Sequence, residues 1–281
     1  MMRAAITGAG SYIGMHLAAH LAEQGWDVRE IDVRDGLDEQ ALAGFDAVIH
    51  VAGIAHQRET QENAPLYRQV NRDLAIQTAR AAKAHGVKQF VFFSSMSVYG
   101  MTTGRITADT QPSPNTHYGV SKWEAEQGLA ELADDAFRIA VLRPPMIYGR
   151  GCRGNYPRLA ALAKSLPVFP KVNNERSMLY IGTLRVFVQS LLESGQGGLY
   201  FPQNSEYVNT ADMVKSIALC SGRRIRLMPG FGGLLRMLEG RVGVVGKVFG
   251  TLTYDQQMSL TFRDGQELPF DETIRLTEVG E

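Results

Sequence analysis

Tyr118 and Lys122 are the residues whose spacing most directly implies chemistry. They stand four apart in a stretch of helical pattern, so both project from one helix face. An ammonium beside a phenol favours the phenolate and lowers the phenol pKa toward a range useful for proton transfer. Of the ten tyrosines, only Tyr118 has a lysine four positions on, although such pairs also arise on helix surfaces with no catalytic role. Upstream, Ser94-Ser95-Met96-Ser97-Val98-Tyr99-Gly100 follows the apolar run Phe90-Val91-Phe92-Phe93. If that run is a strand, the Ser95 hydroxyl sits at its carboxyl end, where a parallel sheet presents reactive groups. The alternative is a serine-rich turn.

A second cluster suits a phosphate. Thr7-Gly8-Ala9-Gly10-Ser11-Tyr12-Ile13-Gly14 lies between a β-rich run and a helical pattern. Glycines there allow a tight turn and let backbone N–H groups approach a pyrophosphate, which the helix N-terminus then stabilises. Such turns also occur without a ligand, and position is what favours binding: this is the first strand-to-helix turn. Asp32 follows 22 positions after Gly10, near the end of the second β-rich run, and Val33 comes next. A carboxylate there accepts hydrogen bonds from an adenosine ribose and repels a 2′-phosphate, which favours NAD; otherwise it is a solvated strand-end acid. Arg34, two residues on, is placed to pair with a 2′-phosphate, so NADP stays open.

These groups need a scaffold. Strand-like runs at Met2–Thr7, Asp27–Val33, Ala47–Val51, Gln89–Ser94 and Arg138–Leu142 alternate with helical patterns at Tyr12–Gln24, Leu66–His85 and Tyr118–Leu132. Alternation of this kind predicts right-handed βαβ units and a doubly wound α/β fold with a mostly parallel Rossmann sheet. Between Asp32 and Asp46 there is room for only one small helix near Leu37–Ala43, so the sheet is expected to be one βα unit short. After Gly149, prolines and the glycine-rich stretch Gly230–Gly250 break the alternation. The expected division is a dinucleotide-binding domain over 1–150 and a mainly substrate-binding region over 151–281, with elements returning to the sheet.

Composition closes off other classes. A chain of 281 residues corresponds to roughly one large domain or two small ones. Lys+Arg and Asp+Glu are both 29, so no net field gathers polyanions and nucleic acid is not an expected partner. Two distant cysteines, Cys152 and Cys220, exclude a disulfide scaffold and a four-thiolate zinc cluster. No His-Glu-x-x-His run occurs, so no metal site is expected; His50 reads as a core residue, and His56 and His117 as weak candidates for substrate contact. The apolar run from Phe231 to Leu252 is broken by Arg236, Glu239, Arg241 and Lys247, which argues against a membrane span. A soluble cytoplasmic protein is expected.

Taken in order, these pieces resemble the extended short-chain dehydrogenase/reductase superfamily, in its NAD-dependent nucleotide-sugar epimerase/dehydratase branch. The resemblance runs from Met2 to about Leu184 and more loosely beyond. Besides the segments above, it rests on Asp46-Ala47-Val48-Ile49-His50-Val51-Ala52-Gly53, Asn71, Tyr118-Gly119-Val120-Ser121-Lys122, Leu142-Arg143-Pro144-Pro145-Met146-Ile147-Tyr148-Gly149 and Arg176-Ser177-Met178-Leu179-Tyr180-Ile181. It implies that Ser95 hydrogen-bonds the reacting sugar oxygen, that Tyr118 is the acid/base, and that Lys122 holds the nicotinamide ribose while lowering the Tyr118 pKa. It implies NAD, with NADP not excluded, bound along Gly8, Gly10, Ser11, Tyr12, Ile13, Gly14, Asp32, Val33, Ala52, Gly53, Asn71, Tyr118, Lys122 and Pro145. Implied substrate contacts are His56, Met96, Asn155 and Arg176, the last as a guanidinium fork on the nucleotide diphosphate.

The chain departs from the family pattern in four places. Ser11 stands where glycine is usual. The missing βα unit leaves open whether Asp32-Val33-Arg34-Asp35 matches the ribose strand or a later, adenine-contacting one. Met146 replaces a frequent asparagine, and Asn155 is either a substitute for it or a turn residue. The implied activity is an NAD-dependent 4-epimerase of a nucleotide sugar, a UDP-hexose or UDP-N-acetylhexosamine, through a transient 4-keto intermediate. The alternatives are an NAD(P)H-dependent 4-ketoreductase of a nucleotide-linked keto-deoxysugar and a non-catalytic dinucleotide-binding regulator. A 4,6-dehydratase is disfavoured because Met96 and Ser97 occupy the places of its Asp-Glu pair and neither shuttles a proton. A homodimer through a four-helix interface is also implied. Ala75, Ala79 and Ala82 give one of its helices a small-residue stripe, unless that stripe faces its own sheet.

Overall fold

The computed structural model describes residues 1–55, 57–231, 246, 248–259 and 267–280. His56, and with it the expected substrate contact of that residue, lies outside the described residues, as do Lys247 and most of the glycine-rich stretch.

The first half runs β1 (Arg3–Thr7), α1 (Tyr12–Glu23), β2 (Asp27–Ile31) and β3 (Ala47–His50). It continues with α2 (Ala64–Arg68), α3 (Leu74–Ala84), β4 (Gln89–Phe93), β5 (Gly104–Ile106), α4 (His117–Ala130) and β6 (Arg138–Leu142). Then come β7 (Met146–Tyr148), α5 (Asn155–Ser165), β8 (Val168–Pro170), β9 (Met178–Tyr180), α6 (Ile181–Ser194) and β10 (Gly198–Tyr200). The chain closes with α7 (Thr210–Cys220), β11 (Arg226–Met228), β12 (Leu252–Tyr254) and α8 (Phe270–Glu278).

One compact unit comprises Met1–Gly100, Gln111–Pro144 and Leu184–Pro202. Its centre is a six-stranded sheet in the order β10-β6-β4-β3-β1-β2, parallel at every pairing. Parallel strands covered on both faces read as continuous apolar runs, and β3 and β4 are buried at every position. Only a 3₁₀ turn, Glu39–Leu42, separates β2 from β3, so β2 stays at the edge and the sheet has the expected short form. Because β2 pairs with β1 through Thr7 and Ile31, Asp32 follows the strand next to β1, which decides between the two alignments of that segment.

The predicted helix over Leu66–His85 is divided. A π turn at Gln69–Asp73 separates α2 from α3, and Asn71 occupies it. Ala75, Ala79 and Ala82 are wholly buried and pack in the core with Val48, Phe90 and Phe137. The small-residue stripe therefore faces its own core and is not an exposed dimer face.

The second unit comprises Met101–Thr110, Pro145–Thr183 and Gln203–Glu281. It is built from two-stranded parallel pairs, β7 with β9, β8 with β11 and β5 with β12. Tyr148 bonds Thr273 at 2.7 Å and Tyr156 donates to Glu278 at 2.8 Å, which ties α8 to the elements after Pro145. No helix among the described residues is long and apolar enough to cross a membrane.

His50 ends β3 with no exposed surface, hydrogen-bonded through Nδ1 to Thr7 Oγ1 at 2.8 Å. Its Nε2 has no partner among the described residues. Burial, reinforced by the Lys122 charge, pushes its pKa down to about 3. The unfolded chain therefore binds a proton below pH 6.5 that the folded protein refuses, and stability held above that pH is lost as pH falls toward 3. This one group is expected to remove about 2 kcal/mol between pH 6.5 and pH 4.5. Denaturant titrations at the two pH values should show a smaller loss for His50→Leu than for the parent; equal losses would contradict the assignment.

Candidate active site

The turn between β1 and α1 is shaped by contacts as much as by glycine freedom. Gly8 has φ +99°, and a Cβ on it would lie 2.9 Å from the backbone nitrogen of Ala52 at the end of β3. Gly10 has φ +71° with open space around its missing side chain. Ser11, in place of the usual glycine, caps α1 by accepting the Gly14 N–H at 3.2 Å. A Cβ at Gly14 would sit 2.7 Å from that hydroxyl, so Ser11 and Gly14 require each other. Tyr12 and Ile13 open α1, half-buried. The Gly10 N–H donates to Glu30 Oε1 at 3.1 Å, so a carboxylate from β2 holds a backbone donor that a phosphate would use; sequence reading missed it.

Asp32 is not waiting empty-handed. Arg34 Nε donates to its two oxygens at 2.9 and 3.0 Å, and Nη2 also reaches Oδ2. The hydrogen bonds from Arg34 hold the Asp32 carboxyl down at about 2. Both side chains are exposed, so the ribose acceptor and the possible 2′-phosphate partner neutralise each other at the surface. Val33 turns inward and is buried.

Ser95 caps the 3₁₀ turn Met96–Tyr99, accepting the Ser97 N–H at 3.1 Å and donating to the Ser97 hydroxyl at 3.2 Å. The Ser94 N–H donates to Leu142 O at 2.8 Å and the Met96 N–H to Pro144 O at 3.0 Å, which fixes this segment against the end of β6. Thr116 caps α4, accepting the Gly119 N–H at 3.0 Å. Glu59 adds a carboxylate at the same helix end, accepting from His117 N at 2.7 Å and Tyr118 N at 3.3 Å.

The structure brings Ser95 and Tyr118 together. Burial raises the Tyr118 phenol, while its hydrogen bond with Ser95 works in the opposite sense and the nearby Tyr67 adds to the rise. The expectation that Lys122 lowers the Tyr118 pKa is therefore corrected for the protein alone. Lys122 is buried, its Nζ 4.7 Å from the Phe92 ring centroid and 3.3 Å from where a Cβ on Gly53 would stand. Burial pushes its own pKa down to about 7, with Glu126 opposing. A cation held there shares its helix face with Tyr118 but spends its field on the sheet side, against Phe92 and His50.

Asn71 is wholly buried and joins the two halves of this arrangement. Its Oδ1 accepts the Ile54 N–H at 2.8 Å, and its Nδ2 donates to Ile54 O and Ser121 Oγ, both at 3.1 Å. Ala52 and Gly53 thus lie between the glycine turn and Lys122, and a Cβ at Gly53 would approach Asn71 Oδ1 to 2.9 Å. Open space at Gly10 and the uncovered backbone at Gly53 form a cradle that suits a dinucleotide.

Of the residues read as substrate contacts, Met96 flanks Ser95 directly. Asn155 and Arg176 belong to the second unit, as does Pro145, which is buried ahead of β7. Asn155 is exposed at the start of α5. Arg176 bridges Val208 and Leu252 through its backbone. Its guanidinium donates to Gly250 O at 2.9 Å, and among the described residues no carboxylate lies within ion-pair distance. Burial lowers its pKa. A cavity of about 860 Å³ in this unit is lined by Lys171, Asn209, Leu227, Phe249 and Thr251 among others, none of them predicted. Among the described residues no group of three His, Cys, Asp or Glu is placed to hold a metal.

Fold and site together define a dinucleotide-binding α/β protein with a Ser–Tyr pair and a buried lysine at the carboxyl ends of its strands. A model of the NAD dependent epimerase/dehydratase family matches residues 4–185. The chain belongs to that family. It is 28% identical over 282 residues to a UDP-glucose 4-epimerase of Vibrio cholerae, covering 89% of this chain and 86% of that protein. It is 35% identical over 174 residues to an N-acetyl-alpha-D-glucosaminyl-diphospho-ditrans,octacis-undecaprenol 4-epimerase of Escherichia coli O157:H7, covering 59% of this chain and 52% of that protein. In structure it resembles a UDP-glucuronic acid 4-epimerase from Bacillus cereus solved with NAD, with TM-score 0.77, 19% identity and coverage of 99% and 96%. It also resembles a dTDP-4-dehydrorhamnose reductase from Bacillus anthracis solved with NADP, with TM-score 0.76, 20% identity and coverage of 99% and 98%.

The turn geometry is testable. Gly8→Ala, strained at φ +99° and pressed on Ala52, is expected to cost about 1–3 kcal/mol in denaturant unfolding and to reduce co-purifying dinucleotide. A variant as stable as the parent would contradict this turn.

Proposed function

We propose that the protein is an NAD-dependent 4-epimerase of a nucleotide sugar, a UDP-hexose or UDP-N-acetylhexosamine. The observation that carries the reading is the Ser95–Tyr118 hydroxyl pair at the carboxyl end of β4, beside the Gly53–Asn71–Lys122 cradle. The relatives named as 4-epimerases support the same chemistry.

Gly8, Gly10, Ser11 and the α1 N-terminus would hold the dinucleotide diphosphate, and Lys122 with Gly53 and Asn71 would line its nicotinamide end. Held there, the dinucleotide would supply the hydride acceptor and donor for the sugar C4. Ser95 holds the sugar O4 by hydrogen bond. Tyr118 removes the O4 proton and later gives it back, with the 4-keto sugar turning over between these steps. Arg176 grips the nucleotide diphosphate; a half-buried cation with no carboxylate partner among the described residues is stabilised by an entering anion.

A second reading is a 4-ketoreductase of a nucleotide-linked keto-deoxysugar using exchangeable NAD(P)H. The exposed Arg34 guanidinium favours it, being free to turn from Asp32 to a 2′-phosphate. Denaturing the purified protein and identifying released dinucleotide, then incubating it with UDP-glucose, UDP-galactose and their N-acetyl forms without added cofactor, separates the readings. Interconversion supports the epimerase. Dependence on added NAD(P)H and a keto sugar supports the reductase. Bound dinucleotide with turnover of neither would leave the non-catalytic regulator.

Two variants test the assigned roles. Tyr118→Phe is expected to lower turnover by about 10³-fold or more while dinucleotide stays bound, and retained activity would remove Tyr118 from its role. Arg176→Met is expected to raise KM for the nucleotide sugar about tenfold or more, with dinucleotide content unchanged. An unchanged KM would refute the diphosphate contact.

A further inference from the structure

Behind the reacting groups lies a buried polar network that neither the family reading nor the chemistry above uses. Glu126 is on α4, one turn beyond Lys122 and two beyond Tyr118, and is buried with Arg143. Arg143 Nε donates to the two Glu126 oxygens at 3.1 and 3.2 Å, and Nη2 donates to Oε2 at 2.6 Å. The Ser94 hydroxyl donates to Glu126 Oε1, and Arg143 Nη1 donates to the Tyr99 hydroxyl at 2.8 Å. The rings of Tyr99, Trp123 and Phe201 stand 5.1, 5.4 and 6.0 Å from the guanidinium carbon.

The network spans the two segments whose relative placement the reaction needs. Ser94 adjoins Ser95, and Tyr99 ends the turn that Ser95 caps. Glu126 is fixed to the helix that carries Tyr118 and Lys122. We propose that Glu126 is a positioning residue, one that locks the Tyr118–Lys122 helix to the Ser95 segment through Ser94 and Arg143.

The same carboxylate stands one turn beyond Lys122 on its helix, so its charge also acts on that ammonium. Among the described residues, His50 from β3 and Glu126 from its own helix are the titratable groups whose charge is coupled to Lys122, with Phe92, Gly53 and Asn71 as uncharged walls. His50 is neutral at working pH and the Tyr118 phenol is protonated, so Glu126 supplies the charge that opposes burial of the ammonium. The turnover half of the proposal rests on the epimerase or reductase reading; the titration of Lys122 in the resting protein does not.

Glu126→Gln preserves size and one acceptor while removing the charge. Lysine-selective ¹³C NMR of the whole protein is expected to show Lys122 titrating about half a unit or more lower than in the parent. In turnover, kcat is expected to fall about tenfold or more with KM nearly unchanged, and the alkaline loss of activity to begin at lower pH. Glu126→Asp, which keeps the charge, should restore the Lys122 titration. An unchanged Lys122 titration together with parental kcat in folded Glu126→Gln would overturn the proposal. Should Glu126→Gln fail to fold, Ser94→Ala removes only the hydrogen bond on the Ser95 side. A kcat reduced at constant KM supports the linkage, and a parental kcat and pH profile overturns it. A parent that turns over no nucleotide sugar would defeat the functional reading while the NMR arm still decides the role of Glu126.

Discussion

Glu126 carries the single negative charge that faces two buried cations, Lys122 and Arg143, among the described residues. Moving an ammonium or a guanidinium out of water is among the largest penalties a fold accepts, and a partner removed from such a pair typically costs about 3–5 kcal/mol. The carboxylate offsets both penalties at once, fully for Arg143 through a three-bond fork and partly for Lys122 through its field. Its position is therefore constrained from two sides, and so is the helix on which it rides. Tyr118 and Lys122, on the same helix, inherit that constraint.

The consequence is a pair of proton-bearing groups that burial shifts in opposite senses. Burial raises the Tyr118 phenol and lowers the Lys122 ammonium, so in the protein alone the two move away from the ordinary charged pair. The hydrogen bond between Ser95 and Tyr118 moderates the first and Glu126 moderates the second. A group bound beside them would change that solvation and with it both protonation equilibria. Lys122 is thus left near its midpoint at neutral pH, whereas the raised Tyr118 phenol stays protonated until a bound group offsets its burial.

The dinucleotide side follows a different rule, that of close backbone approach. Gly8 presses on Ala52, Gly14 accommodates the Ser11 cap, and Gly53 leaves room for Asn71 and Lys122. Each glycine is explained by a neighbour from another element. The carboxylates of Glu30 and Asp32 and the guanidinium of Arg34 line the same edge of the sheet, so the choice between ribose and 2′-phosphate is made among charges that already engage the protein.

How much was legible beforehand differs by kind of feature. Alternation of apolar runs and helical periodicity determined the parallel sheet, the short β2–β3 connection and the glycine turn, because these depend on residues within one or two elements. Spacing along a single helix also placed Tyr118 and Lys122 on one face, and Glu126 on that same face was readable by the same rule. What the Lys122 charge acts on was not readable, since its neighbours Phe92, Gly53 and His50 come from elements brought together only in the tertiary structure. The alanine stripe of α3 satisfied the pattern of a helix–helix contact and of a sheet contact equally, and burial of Ala75, Ala79 and Ala82 decided for the sheet. The pairings of β5 with β12, β7 with β9 and β8 with β11 join short strands far apart in the chain, where three residues carry no periodic signal. The sequence by itself thus determined which residue types were available and how they lie along each element. Only the tertiary structure decided which charges face one another, because burial and long-range proximity set a pKa and neither is a property of local order.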